Sequence, residues 1–235
     1  MIINRNNINL ISDMDLNNGT ILMDKPLNLS SFKLVASVKN ICKIKKIGHA
    51  GTLDPRATGL LILCSGSETK NIDKYVGKTK EYKGVFELGA KTKSYDSETE
   101  IYERHDLTGL DNNQIVEATK KYIGEILQVP PMYSAIKING VRLYKHARKG
   151  KTVERKTRNI FIEKFIITKI EMPFVEFELV CSKGTYVRSL VFDVGEDLKV
   201  GAYLVNLQRT KIGEYSVEEA LNLDELKSIF KKNVN

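Results

Sequence analysis

The stretch Gly48-His49-Ala50-Gly51-Thr52-Leu53-Asp54-Pro55-Arg56-Ala57-Thr58-Gly59 reads as a tight loop. Its glycines permit close backbone approach or unusual angles, and Pro55 stiffens the exit from Asp54. On one side lies a helical pattern. Ser30 or Ser31 can cap it, and Leu34, Val38, Ile41 and Cys42 share one face up to about Lys43. On the other side the apolar run Leu60 to Cys64 has the length of a buried strand. A loop anchored at both ends holds its side chains rigidly beside a cleft. The residues alone leave two uses open for Asp54: a catalytic carboxylate, or the Asx-turn or cap aspartate that often precedes proline.

The rest of the chain mixes strands and helices without regular alternation. Thr20 to Met23 reads as a strand running into Asp24-Lys25-Pro26. Tyr82, Phe86 and Leu88 alternate along another, with Gly84 on the same face. Tyr82 stands at the strand start among Lys78, Lys80 and Lys83, which argues against deep burial. Asp111 and Gln114 have capping-box spacing for a helix with Ile115, Thr119, Tyr122 and Ile123 on one side. Pro130-Pro131 breaks the chain before a short strand at Tyr133 to Ile138. Asn159 to Ile170 and Phe174 to Cys181 read as a hairpin. Thr185 can cap a helix whose core face is Val187, Leu190, Val191, Val194 and Leu198. Tyr203 to Gln208 is a last strand, and Val217 to Lys232 one or two short helices. This order favours α+β over a doubly wound sheet. Residues 1–18, rich in Asn and Asp, read as an N-terminal extension, and 19–235 as a single domain.

Charge narrows the partners. Lys and Arg number 37 against 29 Asp and Glu, a formal charge of +8. The excess is local: Lys145 to Arg158 holds seven Lys/Arg and one acid, Glu154. Such a patch suits a polyanion, of which nucleic acid is the commonest, or a plain solvated face. No apolar run approaches membrane-span length, and the N-terminus lacks the order of a signal peptide. Cys42, Cys64 and Cys181 are scattered and odd in number, as buried thiols of a reducing cytosol would be. No Cys/His spacing predicts a metal site.

The loop resembles the signature of the TruB family of pseudouridine synthases, Gly-His-x-Gly-Thr-Leu-Asp-Pro-x-Ala-x-Gly, at every fixed position. Further blocks follow in the family's order. Asp24-Lys25-Pro26 with Ser30-Ser31 resembles the opening block, with Asn28 in place of a usual glycine. Tyr82 stands where the family has its active-site tyrosine. Leu88-Gly89 through Asp96, and Gln128-Val129-Pro130-Pro131 through Gly150, are similar to two more blocks. Cys181-Ser182-Lys183-Gly184-Thr185-Tyr186-Val187-Arg188 resembles the block that supplies the active-site arginine. Leu207-x-Arg209-Thr210 is last, with Gln208 departing from the common arginine. The resemblance runs from about Gly19 to Gly213.

The resemblance implies a pseudouridine-synthase fold: α+β, with a central mixed, mainly antiparallel sheet flanked by helices and a basic thumb at about 130–158. It implies conversion of the tRNA T-loop uridine at position 55, with Asp54 as the catalytic carboxylate. Tyr82 is expected to stack on the uracil, and Arg188 to pair with Asp54. His49 would fill the space the flipped nucleotide leaves. Lys25 would hold the loop or the RNA backbone, and Leu207 would wall the uracil pocket. Lys137, Tyr144 and Arg148 would contact RNA from the thumb. No cofactor or metal is expected, the partner is the T-arm of tRNA, and the protein is expected to be a cytoplasmic monomer. Bacterial members usually carry a C-terminal PUA-type domain. Only 22 residues follow Gly213, so that domain is expected to be absent. The alternatives are the same chemistry on another RNA, or an RNA-binding protein or tRNA-folding chaperone without catalysis. Intact Asp54, Tyr82 and Arg188 favour the enzyme.

Overall fold

The computed structural model describes residues 2–7 and 16–232; the rest of the expected N-terminal extension, residues 1 and 8–15, lies outside them. The chain divides into two compact units, Met1–Tyr82 with Leu207–Asn235, and Lys83–Asn206. Both divisions fall inside strands, Lys80–Leu88 and Ala202–Ile212, where the sequence suggests one domain.

In the first unit the strand Ala57–Ser65 is central and almost wholly buried. Thr20–Lys25 lies antiparallel to it, Thr20 opposite Cys64 and Lys25 opposite Gly59. Ile47–His49 pairs antiparallel with its C-terminal half. Leu207 to Arg209 run parallel to Ala57 to Gly59. Ile2–Ile3 extends the sheet beside Thr20–Lys25, so these residues of the expected extension belong to the unit. Because side chains alternate along a strand, the central apolar run feeds two cores. Leu61 and Leu63 meet Leu34 and Val38 of the helix Ser31–Ile41 and Leu226 of the helix Leu223–Lys232. Leu60, Ile62 and Cys64 face the other way, toward Leu22, Ala50 and Ile212.

In the second unit, Arg158–Glu171 and Phe174–Cys181 form a long antiparallel hairpin, and Gly124–Gln128 adds antiparallel to its first strand. Phe86, Phe165 and Phe177 meet in its core, with ring centroids 5.9 and 5.5 Å from Phe177. The helix Asn112–Lys120 begins with the capping box that the sequence predicts: Asp111 accepts from the Gln114 amide and Gln114 from the Asp111 amide, both at 2.9 Å. The helix Val187–Asp197 buries Val187, Leu190, Val191 and Val194. The fold is α+β, built on mixed, mainly antiparallel strand pairing with helices against it. Among the described residues no helix is long and apolar enough to cross a membrane.

Several local expectations need correction. The loop is shorter than Gly48 to Gly59, because Ile47–His49 and the chain from Ala57 onward join the sheet. Of the two serines expected to cap the first helix it is Ser30, accepting from the Lys33 amide at 3.2 Å; the helix stops at Ile41, short of the expected Lys43. Thr185 caps nothing: its hydroxyl donates to the Ser182 carbonyl at 3.0 Å, and Tyr186 occupies the cap position. The strand expected at Tyr133 to Ile138 is only Lys137–Ile138. It turns back through Asn139 and Gly140, both at positive φ (49° and 78°), into Val141–Arg142. Two left-handed residues are what a two-residue hairpin turn requires.

Gly59 is a point of close backbone approach in the first unit. Its φ is +100°, and a Cβ there would lie 2.3 Å from the Arg209 carbonyl oxygen on the parallel strand. Gly59→Ala is expected to destabilise the fold by about 3 kcal/mol. Urea denaturation of the two proteins checks this, and an unchanged midpoint would contradict the close approach.

Candidate active site

Asp54 is partly exposed. The main chain around it is fixed from both sides. The Ser31 hydroxyl accepts from the Leu53 amide and donates to the Leu53 carbonyl, each at 2.9 Å. The Pro55 carbonyl accepts from the Asn28 amide at 2.8 Å and from Lys25 Nζ at 3.5 Å. The Asp54 carbonyl accepts from the Ala57 amide at 3.1 Å. Arg56 donates to Asn28 Oδ1 at 3.0 Å. All but one of these anchors come from the block Lys25 to Ser31, which explains why that block and the loop belong together. Asn28 has φ 62°, a left-handed conformation that asparagine adopts more readily than most residues. Its replacement of a glycine is therefore tolerated.

Two buried cations lie under the loop. Lys25 is fully buried and donates to the carbonyls of Leu29 (2.7 Å) and Pro26 (2.9 Å) as well as Pro55. Its pKa is lowered to about 8, chiefly by burial; the Asp54 and Asp24 charges work against the shift and the Arg209 charge adds to it. Arg209, also buried, donates from Nε to the Leu60 carbonyl at 2.8 Å and from Nη2 to the Gly51 carbonyl at 3.2 Å. It ties Gly51, near the start of the loop, to Leu60 in the strand that follows it. The sequence names Arg209 only as part of a block. The signal was its position two residues from Leu207, on the same buried face of a strand.

His49 is half-buried, and its Nδ1 is buried without a partner. Burial, then the Arg209 charge, lowers its pKa, with the Gly51 backbone opposing; the ring is neutral at pH 7. Leu207 is buried opposite Ala57, and its carbonyl accepts from the Thr58 hydroxyl at 3.4 Å. The first unit thus gathers Lys25, His49, Asp54, Leu207 and Arg209.

Tyr82 corrects an expectation: it is 9% exposed and counts among the buried residues. The lysines near it misled, because Lys80 is itself buried. Its amine donates to the carbonyls of Tyr75, Val76 and Lys78, which end the short helix Ile72–Val76. A lysine that satisfies a helix end can lie on the inward face of a strand.

In the second unit Arg188 is also buried, 3% exposed. Its Nε lies 3.3 Å from Asp96 Oδ2, and its two terminal nitrogens donate to the carbonyls of Ser94 (2.8 Å) and Tyr133 (2.9 Å). Asp96 belongs to a block that the sequence marks, but its pairing with Arg188 was missed. The two are 92 residues apart in sequence, and nothing in the spacing joins them. The three predicted thumb residues differ in setting. Lys137 is exposed. The Arg148 guanidinium lies 5.4 Å from the Tyr144 ring centroid and 3.2 Å from Glu98 Oε1. Among the described residues no cluster of three or more His, Cys, Asp or Glu could hold a metal ion.

Residues 39–187 match the family model of the TruB family pseudouridylate synthases, N-terminal domain. The chain belongs to this family. The match spans the Asp54 loop, Tyr82 and the thumb, and this TruB family member is therefore an isomerase. Its relatives agree. A tRNA pseudouridine synthase B of Clostridium tetani is 46% identical over 209 residues, covering 89% of this chain and 72% of that protein. Another, of Flavobacterium johnsoniae, is 48% identical over 210 residues, covering 86% and 92%. Solved structures share the fold. A chain of a Cbf5-Nop10-Gar1 complex superposes with a TM-score of 0.69 at 28% identity, covering 90% of this chain and 54% of that one. A chain of an H/ACA RNP bound to a substrate RNA containing 2′-deoxyuridine gives 0.71 at 25%, covering 94% and 57%. The TruB family member spans just over half the length of those two chains.

Two predictions follow from the buried cations. Lys25 has an ordinary value of 10.5 and a folded value of about 8. Between the two the unfolded chain binds the extra proton, so folding stability rises with pH across that window. Relative to Lys25→Met, wild-type stability should be level below pH 8 and grow from there toward pH 10.5. Urea melts at spaced pH values measure it, and a difference that stays level throughout would refute the assignment. Asp96→Ala removes a carboxylate 3.3 Å from the buried Arg188 guanidinium and should cost about 3 kcal/mol of folding stability, read in the same melts.

Proposed function

We propose that this enzyme converts uridine to pseudouridine in tRNA, at position 55 of the T-loop, with Asp54 as the catalytic carboxylate. The observation that carries the reading is the placing of the carboxylate: a partly exposed aspartate on a loop whose main chain is fixed on both sides. The relatives named tRNA pseudouridine synthase B support the substrate class.

The reaction breaks the bond from C1′ to N1 and joins C1′ to C5 of the same base. N1 gains a proton and C5 loses one, so the product is an isomer and no electrons are exchanged. A base stacked within folded RNA must first be flipped into a pocket, which costs a few kcal/mol. Pre-fixing Asp54 reduces the reorganisation needed once the base arrives. Tyr82 offers a ring for the uracil, Leu207 an apolar wall, and the neutral His49 ring a filler for the vacated stack. Arg188 is the catalytic guanidinium, already held in direction by Asp96 and two carbonyls. Lys25 acts as a positioning residue rather than an RNA contact, since its amine serves three backbone carbonyls. Lys137, Tyr144, Arg148 and the basic residues around them would bind phosphates, so affinity falls as salt rises.

The test is incubation with an unmodified tRNA transcript, followed by chemical mapping of pseudouridine. Wild type should modify position 55. Asp54→Asn should bind the transcript with near-normal affinity and form no product. Normal turnover by that variant would end the assignment of Asp54, and product at another position alone would end that of the T-loop.

A further inference from the structure

Arg188 lies in the first turn of the helix Val187–Asp197, so it is only as well aimed as the helix end that carries it. The cap residue is Tyr186, which makes no cap bond with its own side chain. Tyrosine is not among the residues that helix caps favour. Gln128 supplies what the cap lacks. Its Oε1 accepts from the Tyr186 amide at 2.8 Å, and its Nε2 donates to the Tyr186 carbonyl at 3.0 Å. The same carbonyl accepts the first bond of the helix, from the Leu190 amide at 3.1 Å. In a capping box the amide of the cap residue is taken up by a Glu or Gln three positions on. Ser189 stands at that position here, and a glutamine 58 residues before the cap takes the role instead.

Gln128 is itself firmly held. It is buried, 1% exposed, and ends the strand Gly124–Gln128 opposite Arg158. The residues after it continue the attachment. The Val129 carbonyl accepts from the Ser189 hydroxyl at 3.2 Å, and the Tyr133 carbonyl from Arg188 Nη2 at 2.9 Å. Directional bonds thus reach the helix at Tyr186 and Ser189, on either side of Arg188 in sequence. Docking alone does not call for them, because Val187, Leu190, Val191 and Val194 already bury an apolar face. A buried amide has to recover its desolvation cost through its bonds, whereas an apolar side chain of the same length would not. What apolar packing leaves loose is the rotation and slide of the first turn, and a fully bonded polar group removes that freedom.

We propose that Gln128 is a positioning residue for the reaction: it fixes the first turn of the helix and, through it, the direction of the Arg188 guanidinium. The proposal rests on the reading above in which Arg188 is the catalytic guanidinium. Gln128 governs the rate of the chemical step and not the affinity for RNA.

The experiment is a double-mutant cycle. Single-turnover rates are measured with the full chain in saturating excess over an unmodified tRNA transcript, and affinity is measured separately by fluorescence anisotropy. Gln128→Met keeps the length and loses both bonds. Its rate should fall by about a hundredfold, the scale that a small misplacement of a catalytic group produces, while affinity stays near that of wild type. In an Arg188→Lys background the same replacement should cost little further, because the group that it aims is gone. Gln128→Asn, which draws the amide back by one methylene, should show the same pattern at smaller amplitude and carries the test if Gln128→Met does not fold. The Arg188 Nε–Hε nuclear magnetic resonance signal, identified by its absence from Arg188→Lys, should shift and broaden in both variants without RNA. A wild-type rate in both variants, a loss that lies in affinity, equal losses in the two backgrounds, or an unmoved guanidinium signal each overturn the proposal. If wild type forms no pseudouridine, the functional reading fails, and the guanidinium signal still decides whether Gln128 directs Arg188.

Discussion

Lys25 reaches from the end of its strand to three carbonyl oxygens, at Pro26, Leu29 and Pro55, and so joins the opening block of the sequence to the loop that carries Asp54. Removing an ammonium group from water is costly. Here the cost is offset by carbonyls that would otherwise be poorly satisfied in a turn. The same device recurs. Arg209 joins Leu60 to Gly51, Lys80 collects the carbonyls at the end of a short helix, and Arg188 draws Ser94 and Tyr133 together beside Asp96. Buried cations of this protein serve chiefly as fasteners of main chain. The loop can then be irregular, as a site for a bulky substrate requires, without being loose.

This pattern gives an electrostatic setting as well as a mechanical one. Lys25 and Arg209 put positive charge beneath the loop, and Lys25 feels the Asp54 carboxylate in return. The same charge on Arg209 helps to keep His49 neutral. A neutral imidazole is the form suited to lie against bases.

Strong periodicity and cap chemistry made much of the fold legible in the sequence. The central apolar run, the long hairpin, the capping box at Asp111 and the core face of the helix Val187–Asp197 could all be read directly. Ala90–Thr92, Ile101–Arg104 and Gly124–Gln128 could not, because they are short and of mixed polarity. At the site, the residue types of the loop were visible, and so was the family they resemble. The partners of the buried cations were hidden, since they are mostly main-chain carbonyls, which every residue carries. Lys80 shows the hazard: as a letter it signals water, yet a helix end lets it sit inside and takes Tyr82 with it.

Ser31 deserves a last look in this light. Its single oxygen both gives and takes a hydrogen bond with the main chain of Leu53, as a neighbouring strand would. The loop is therefore locked in register without being recruited into the sheet. Because that lock engages only backbone atoms, the aim of the neighbouring aspartate rests on one hydroxyl oxygen and not on the Leu53 side chain.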